Sequence, residues 1–170
     1  MKGIFDPQER QETAEKYFLE GYNCCQAVLL AFQDVTGLDK ETTLKFASGF
    51  GGGMGKMREV CGTVSAMTAI AGFISPSVNP GDHDAKTANY ALVQELASRF
   101  KEEKGSIICR ELLGKRKEEK LESPEPSHRT PEYYKTRPCA ATVGTAARIV
   151  AGYLKDNDYI CKLETDLKNR

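Results

Sequence analysis

The sequence predicts an all-α protein, and three observations carry that reading. Helix-start signals recur along the chain: Asp6-Pro7, Asn23 with Gln26 three residues on, Asp39, and Asp82 or Asp84. Apolar residues follow them at spacings of three and four, the period of a helix face. No alternating strand pattern of convincing length occurs, and no internal repeat is visible. The expected architecture is a single compact helical bundle of about seven or eight helices. It forms one domain over residues 1–170, with a Gly-rich loop and a long, charged, proline-containing loop.

Each element has its own signal. Asp6 caps the first helix, Pro7 suits its first position, and Glu9 completes a capping box; Gly21 stops it after Glu20. Asn23 and Gln26 repeat the logic. The run QAVLLAF is apolar nearly all round, so this second helix is central, and it ends near Gly37. Asp39 opens a short helix ending about Ala47. Then comes Gly49-Phe50-Gly51-Gly52-Gly53-Met54-Gly55. So many glycines cannot form a helix interior, where each loses about 1 kcal/mol relative to Ala. A helix resumes near Val60, with Val64, Met67 and Ala71 continuing its seam, and ends across Gly72, Pro76, Pro80 and Gly81. The next runs to Lys104 with Ala85, Ala88, Leu92, Leu96 and Phe100 on one face, and Gly105 terminates it. Ser106 caps a short helix over 107–113, closed by Gly114. Residues 115–138 read as a long loop. The helix after Pro138 is rich in small residues, among them Ala140, Gly144, Ala147 and Ala151, which let helices approach closely. A final amphipathic helix covers about 158–167.

Composition narrows the function. Lys+Arg and Asp+Glu are both 24, so the formal net charge is zero. That excludes a strongly basic nucleic-acid binder and an acidic, self-repelling disordered chain. The start, MKGIFDPQER, has no basic segment followed by an apolar one. The longest weakly polar run, Val64 to Ile74, falls short of the roughly 20 apolar residues of a membrane span. The expectation is a cytoplasmic protein with no membrane insertion. In that compartment structural disulfides are rare, so the six cysteines point to metal binding, redox chemistry or burial.

The cysteines are Cys24, Cys25, Cys61, Cys109, Cys139 and Cys161. Cys24, Cys61, Cys109 and Cys139 fall at or near predicted helix starts. A helix N-terminus presents unpaired N–H groups and a partial positive charge, which favour thiolate over thiol and stabilise an anionic thiolate–metal assembly. No C-x-x-C occurs, which disfavours a thioredoxin-type motif or a zinc ribbon. The four lie far apart in sequence, so any shared site is assembled by tertiary structure. Cys24 and Cys25 diverge by about 100° on a helix, so only one of them faces such a site, with Cys25 as the substitute ligand.

Other candidates are weaker. The glycine loop is not a phosphate-binding loop, since Phe50 and Met57 stand where that motif needs Gly and Ser or Thr. It reads as a tight turn, or as backbone from Gly51, Gly52, Gly53 and Gly62 standing close to an anionic centre near Cys61. Asp82-His83-Asp84 reads as a solvated cap, and His128 as an exposed loop residue, so Cys–His catalysis has little material. Tyr133-Tyr134 reads as an anchor tying the long loop to the body.

Four segments then carry a resemblance: GYNCCQAVLLAF, FASGFGGGMGKMREVCGTVSA, FKEEKGSIICRELLG and RPCAATVGTAARIV. In this order, over about residues 21–154, they resemble the C_GCAxxG_C_C family, described as putative redox-active proteins. The resemblance implies that the family's four cysteines are Cys24, Cys61, Cys109 and Cys139. Cys25 stands where the family has Ala. The CGAxxG motif stands as Cys61-Gly62-Thr63-Val64-Ser65-Ala66, departing at Thr63 and Ala66, and Cys161 lies outside the match. The family also resembles a domain of split-Soret cytochromes, which implies iron–sulfur ligation. No C-x-x-C-H is present to support covalent haem.

The expected function is redox activity through the four cysteines. They would ligate an iron–sulfur cluster or another metal, or cycle as thiols with an unidentified redox partner. Cluster ligation ranks slightly ahead, because four thiols suit one centre. A helical partner-binding module with buried, inert cysteines is the alternative. Whether the chain forms a homo-oligomer is left open, as are the roles of Cys25 and Cys161.

Overall fold

The computed structural model describes residues 5–116 and 122–159. Among these it is helical, with nine α-helices and no strand, as the periodicity predicts. In chain order they are α1 (Pro7–Leu19), α2 (Cys24–Leu30), α3 (Gln33–Thr36), α4 (Lys40–Ala47), α5 (Gly62–Ile74), α6 (His83–Lys104), α7 (Cys109–Leu112), α8 (Pro131–Thr136) and α9 (Cys139–Asp156). No helix among the described residues is long and apolar enough to cross a membrane.

The caps do what their side chains permit. The Asp6 carboxylate accepts from the amide of Glu9, Asp39 from Thr42 and Asp82 from Ala85, each at 2.9 Å. Two departures raise the helix count. The central apolar helix breaks at Ala31 and Phe32, so α2 and α3 are separate before Gly37 ends the pair in the left-handed region. The loop after Lys115 contains α8, started by Thr130 accepting from Tyr133 and by Pro131 in the first turn. The final helix expected over 158–167 lies almost wholly outside the described residues, as does Cys161.

α9 is the axis of the packing. It lies along α1, α2, α5 and α6, and α2 also packs on α5. Small residues make this close: Ala146, Ala147 and Ala151 are fully buried, and a side chain at Gly144 would overlap Glu15 of α1. The interior between them holds Val28, Leu29, Met67, Ile70, Val143 and Val150. Leu92, Leu96 and Phe100 from the second half of α6 close it, while Ala88, expected on the same face, is exposed.

One local pairing was not foreseen. Val60 and Ile108 form an isolated antiparallel bridge. The amide of Cys61 donates to Ile107 at 2.9 Å, that of Cys109 to Glu59 at 2.6 Å, and that of Arg110 to Arg58 at 3.2 Å. This short ladder joins the entry to α5 with the entry to α7.

Candidate functional site

The four cysteines singled out in the sequence all stand at helix starts. Cys24 is the first residue of α2, Cys61 the N-cap of α5, Cys109 the first residue of α7 and Cys139 the first of α9. Each is held there by its neighbours. Asn23 and Gln26 form a complete capping box that fixes the start of α2. The Asn23 amide also donates to the carbonyls of Ala47 and Ser48 at 3.2 Å, fastening α2 to the end of α4. The ladder at Val60 and Ile108 sets Cys61 and Cys109 side by side. Pro138 leads into α9 and Cys139.

The result is one small cavity of about 60 Å³ lined by Cys24, Cys61, Cys109 and Cys139 together with Arg58, Arg129, Arg137 and Tyr133. Cys61 and Cys109 are buried; Cys24 and Cys139 are half-buried. All four are free thiols. The Cys61 sulfur lies 3.1 Å from the Thr63 hydroxyl, and an Arg58 guanidinium nitrogen lies 3.9 Å from the Cys109 sulfur. Among the described residues, no group of three or more His, Cys, Asp and Glu side chains is arranged to hold a metal ion.

Glycine makes this approach sterically feasible. A Cβ at Gly62 would overlap the Cys24 sulfur and stand 2.7 Å from the Phe50 carbonyl oxygen. A Cβ at Gly53, whose φ is +68°, would stand 2.6 Å from the Cβ of Cys109. Gly52 lines the cavity, and a Cβ at Gly51 would stand 2.9 Å from that of Asn23. The amides of residues 54–59 donate within the loop itself, for example Gly55 to Gly49 at 2.8 Å and Glu59 to Gly53 at 3.0 Å. These amides are therefore engaged within the loop, while Gly53 and Gly62 stand against Cys109 and Cys24. Met54, Lys56 and Arg58 lie at φ 64°, 64° and 59°, left-handed values that non-glycine residues rarely adopt. This strained run carries Arg58 to the cavity wall, where Glu122 accepts from two of its nitrogens at 3.0 and 2.6 Å.

Electrostatics correct one expectation. The sequence predicts thiolates favoured at helix N-termini, but burial acts in the opposite direction and dominates. It pushes Cys61 up to about 12, with nearby Cys24 adding to the rise and hydrogen bonds from Thr63 opposing it. Burial, Cys24 and Cys109 push Cys139 up to about 11, against Arg137 and Arg129. Cys109 is also raised by burial, with Arg58 pulling it back. These three thiols hold their protons through neutral pH.

The remaining candidates separate cleanly. Cys25 points into the core and is fully buried, and its thiol is pushed far up by desolvation and by Cys24 and Cys61. Asp82 caps α6 in an exposed loop, and His83, Asp84 and His128 are exposed. Tyr134 serves as the expected anchor: it stacks edge-on against Phe18, and its hydroxyl donates to the Leu19 carbonyl at 3.3 Å. Tyr133 instead reaches the cysteine cavity. Arg129, Arg137 and Thr63 were missed. Arginine in a polar loop carries no signal of burial, and Thr63 was visible only as a departure from a motif.

The structure thus belongs to the class of helical proteins that gather cysteines from separate elements at one end of the bundle. The chain is a member of the family described as "Putative redox-active protein (C_GCAxxG_C_C)", which matches residues 22–153. No curated protein and no solved structure matches it.

Proposed function

We propose that the protein is redox-active through one centre made of Cys24, Cys61, Cys109 and Cys139, and that the chain acts as a single helical domain in the cytoplasm. The observation that carries this is the shared cavity: four elements bring four thiols to line one small space.

The donor set was weighed against an iron–sulfur cluster or other thiophilic metal. The residue types fit, with four thiols and three guanidinium groups to offset thiolate charge. The arrangement does not close on one point among the described residues. Thiol pairing is therefore the first reading, in place of the cluster ranked first on sequence alone. Two thiols lose two protons and two electrons as one S–S bond forms. The electrons pass to a partner disulfide through a mixed disulfide. Cys24 is the favoured exchanging thiol, because it is half-buried and lines the cavity together with Cys61, Cys109 and Cys139.

Counting free thiols after equilibration with oxidised and reduced glutathione tests this. Loss of two or four thiols on oxidation, abolished in Cys24→Ser, is expected; an unchanged count overturns it. Metal ligation is the second reading, supported by the four-thiol donor set. Anaerobic loading with iron and sulfide, followed by visible absorbance, tests that. Failure of both leaves a helical partner-binding module with inert cysteines.

A further inference from the structure

A second, larger cavity opens beside the thiols. It is a cleft of about 410 Å³, within the range that holds small ligands. Asn23, Gly52, Arg58, Arg129, Tyr133 and Arg137 line both spaces, so the cleft leads directly to the cysteines. Its charge is one-sided. Lys56, Arg58, Arg129 and Arg137 line it, and among the described residues no Asp or Glu does.

The four cations are not equivalent. Glu122 neutralises Arg58 at 2.6 Å and reaches Lys56 at 3.5 Å. Among the described residues, Arg129 and Arg137 lie against aromatic rings and not carboxylates. Arg129 lies 4.5 Å from the Phe18 ring centre and 4.8 Å from that of Tyr133, and Arg137 lies 4.7 Å from the Tyr133 ring centre. Rings hold a guanidinium in place without satisfying its N–H donors. Arg129 donates from Nη2 to the Tyr22 carbonyl at 3.4 Å, while its Nη1 is buried with no hydrogen-bond partner among the described residues. A buried, charged donor left open, in a cleft of one sign, is a site built for an acceptor.

We propose that this cleft binds a small anionic molecule through a carboxylate or phosphate group seated on Arg129 and Arg137. The planar guanidinium fork suits both groups, and Tyr133 lines both the cleft and the thiol cavity. The thiol reading is what would make this molecule a substrate; binding itself is independent of it.

The test is calorimetric titration of the reduced, full-length protein with inorganic phosphate and, separately, with succinate. Chloride keeps ionic strength constant. Saturable binding of one probe is expected, weakened at least tenfold in Arg129→Gln and in Arg137→Gln. The probe that binds tells phosphate from carboxylate. No saturable binding of either, or unchanged binding in Arg137→Gln, overturns the proposal. Arg137 is the second position because Arg129 also packs on Phe18 and its replacement can disturb folding. The titration involves no redox step, so its outcome is separate from that of the thiol count.

Discussion

Cys24 and Cys25 are consecutive residues that belong to two regions with different physics. Cys24 stands at the end of the bundle, half-buried, in a wall shared with arginines, a tyrosine and three other thiols. Cys25 lies within the apolar interior, fully buried with Val28, Met67 and Val143. Both regions are made from the same helices, α2, α5 and α9. The first residues of those helices build the cavity, and the turns that follow build the core. Cys24 and Cys25 share the first turn of α2, so it is the direction each faces, about 100° apart, that sends one to the cavity and the other to the core.

Substitutions can test that division, beginning in the interior. Phe100→Ala empties a fully buried site and should destabilise by about 3–5 kcal/mol. Chemical denaturation measures it, and the thiol count of the folded fraction should not change. If the count changes, the two regions are coupled. Gly62→Ala attacks the boundary, since the new methyl would meet the Cys24 sulfur and the Phe50 carbonyl. A loss of about 1–3 kcal/mol is expected. Unlike Phe100→Ala, it should also alter the redox midpoint of the thiols, read by glutathione titration.

The raised thiols give the molecule an alkaline pH signature, carried by Cys61 and Cys139 at the cavity and also by Cys25 in the core. Ordinary thiols ionise near 9.0, whereas Cys139 and Cys61 ionise at about 11 and 12. Between those values the folded chain holds more protons than the unfolded one, so stability falls as pH rises. The reduced protein should lose roughly 4 kcal/mol between pH 9 and about 11 from these two thiols. Cys139→Ser should flatten part of that slope in thermal melts. Slow alkylation is the kinetic counterpart: at pH 8, Cys139 should react roughly 100-fold more slowly than an ordinary thiol.

The smallest effect is at the outer wall. Arg58 holds the Glu122 carboxyl well below its usual range, with Lys115 assisting. A depressed carboxylate stabilises above its ordinary value and loses that contribution as pH falls below about 4.5. Water reaches this pair, so Glu122→Gln should cost about 1 kcal/mol or less at neutral pH. It should also reduce acid sensitivity, measured by melting temperature against pH.

Much of this division was legible in the sequence, for physical reasons that differ by residue. Asp6, Asn23, Asp39 and Asp82 cap as read, because a cap is a contact between residues three apart. Of the cysteines, Cys24 follows one of these caps, whereas the helices that begin at Cys61, Cys109 and Cys139 have no side-chain cap. The ladder between Val60 and Ile108 was not legible, since it joins distant segments too short to show a period. Nor were Arg129 and Arg137 as cavity residues, because the polar stretch that holds them gives no sign of folding back over the thiols. The rise of the thiol pKa values also escaped, as burial depends on what packs around a helix end.

The ladder that joins Cys61 to Cys109 has one more consequence. The segments it ties bracket α5 and α6, so those helices form a closed excursion fastened at the thiol cavity. Contacts between such distant segments are among the harder ones to make, because the intervening chain must first be brought round. A nascent chain carries the cysteines before it carries the centre. The proposed centre therefore depends on a long-range closure of the chain as well as on the helices that carry the thiols.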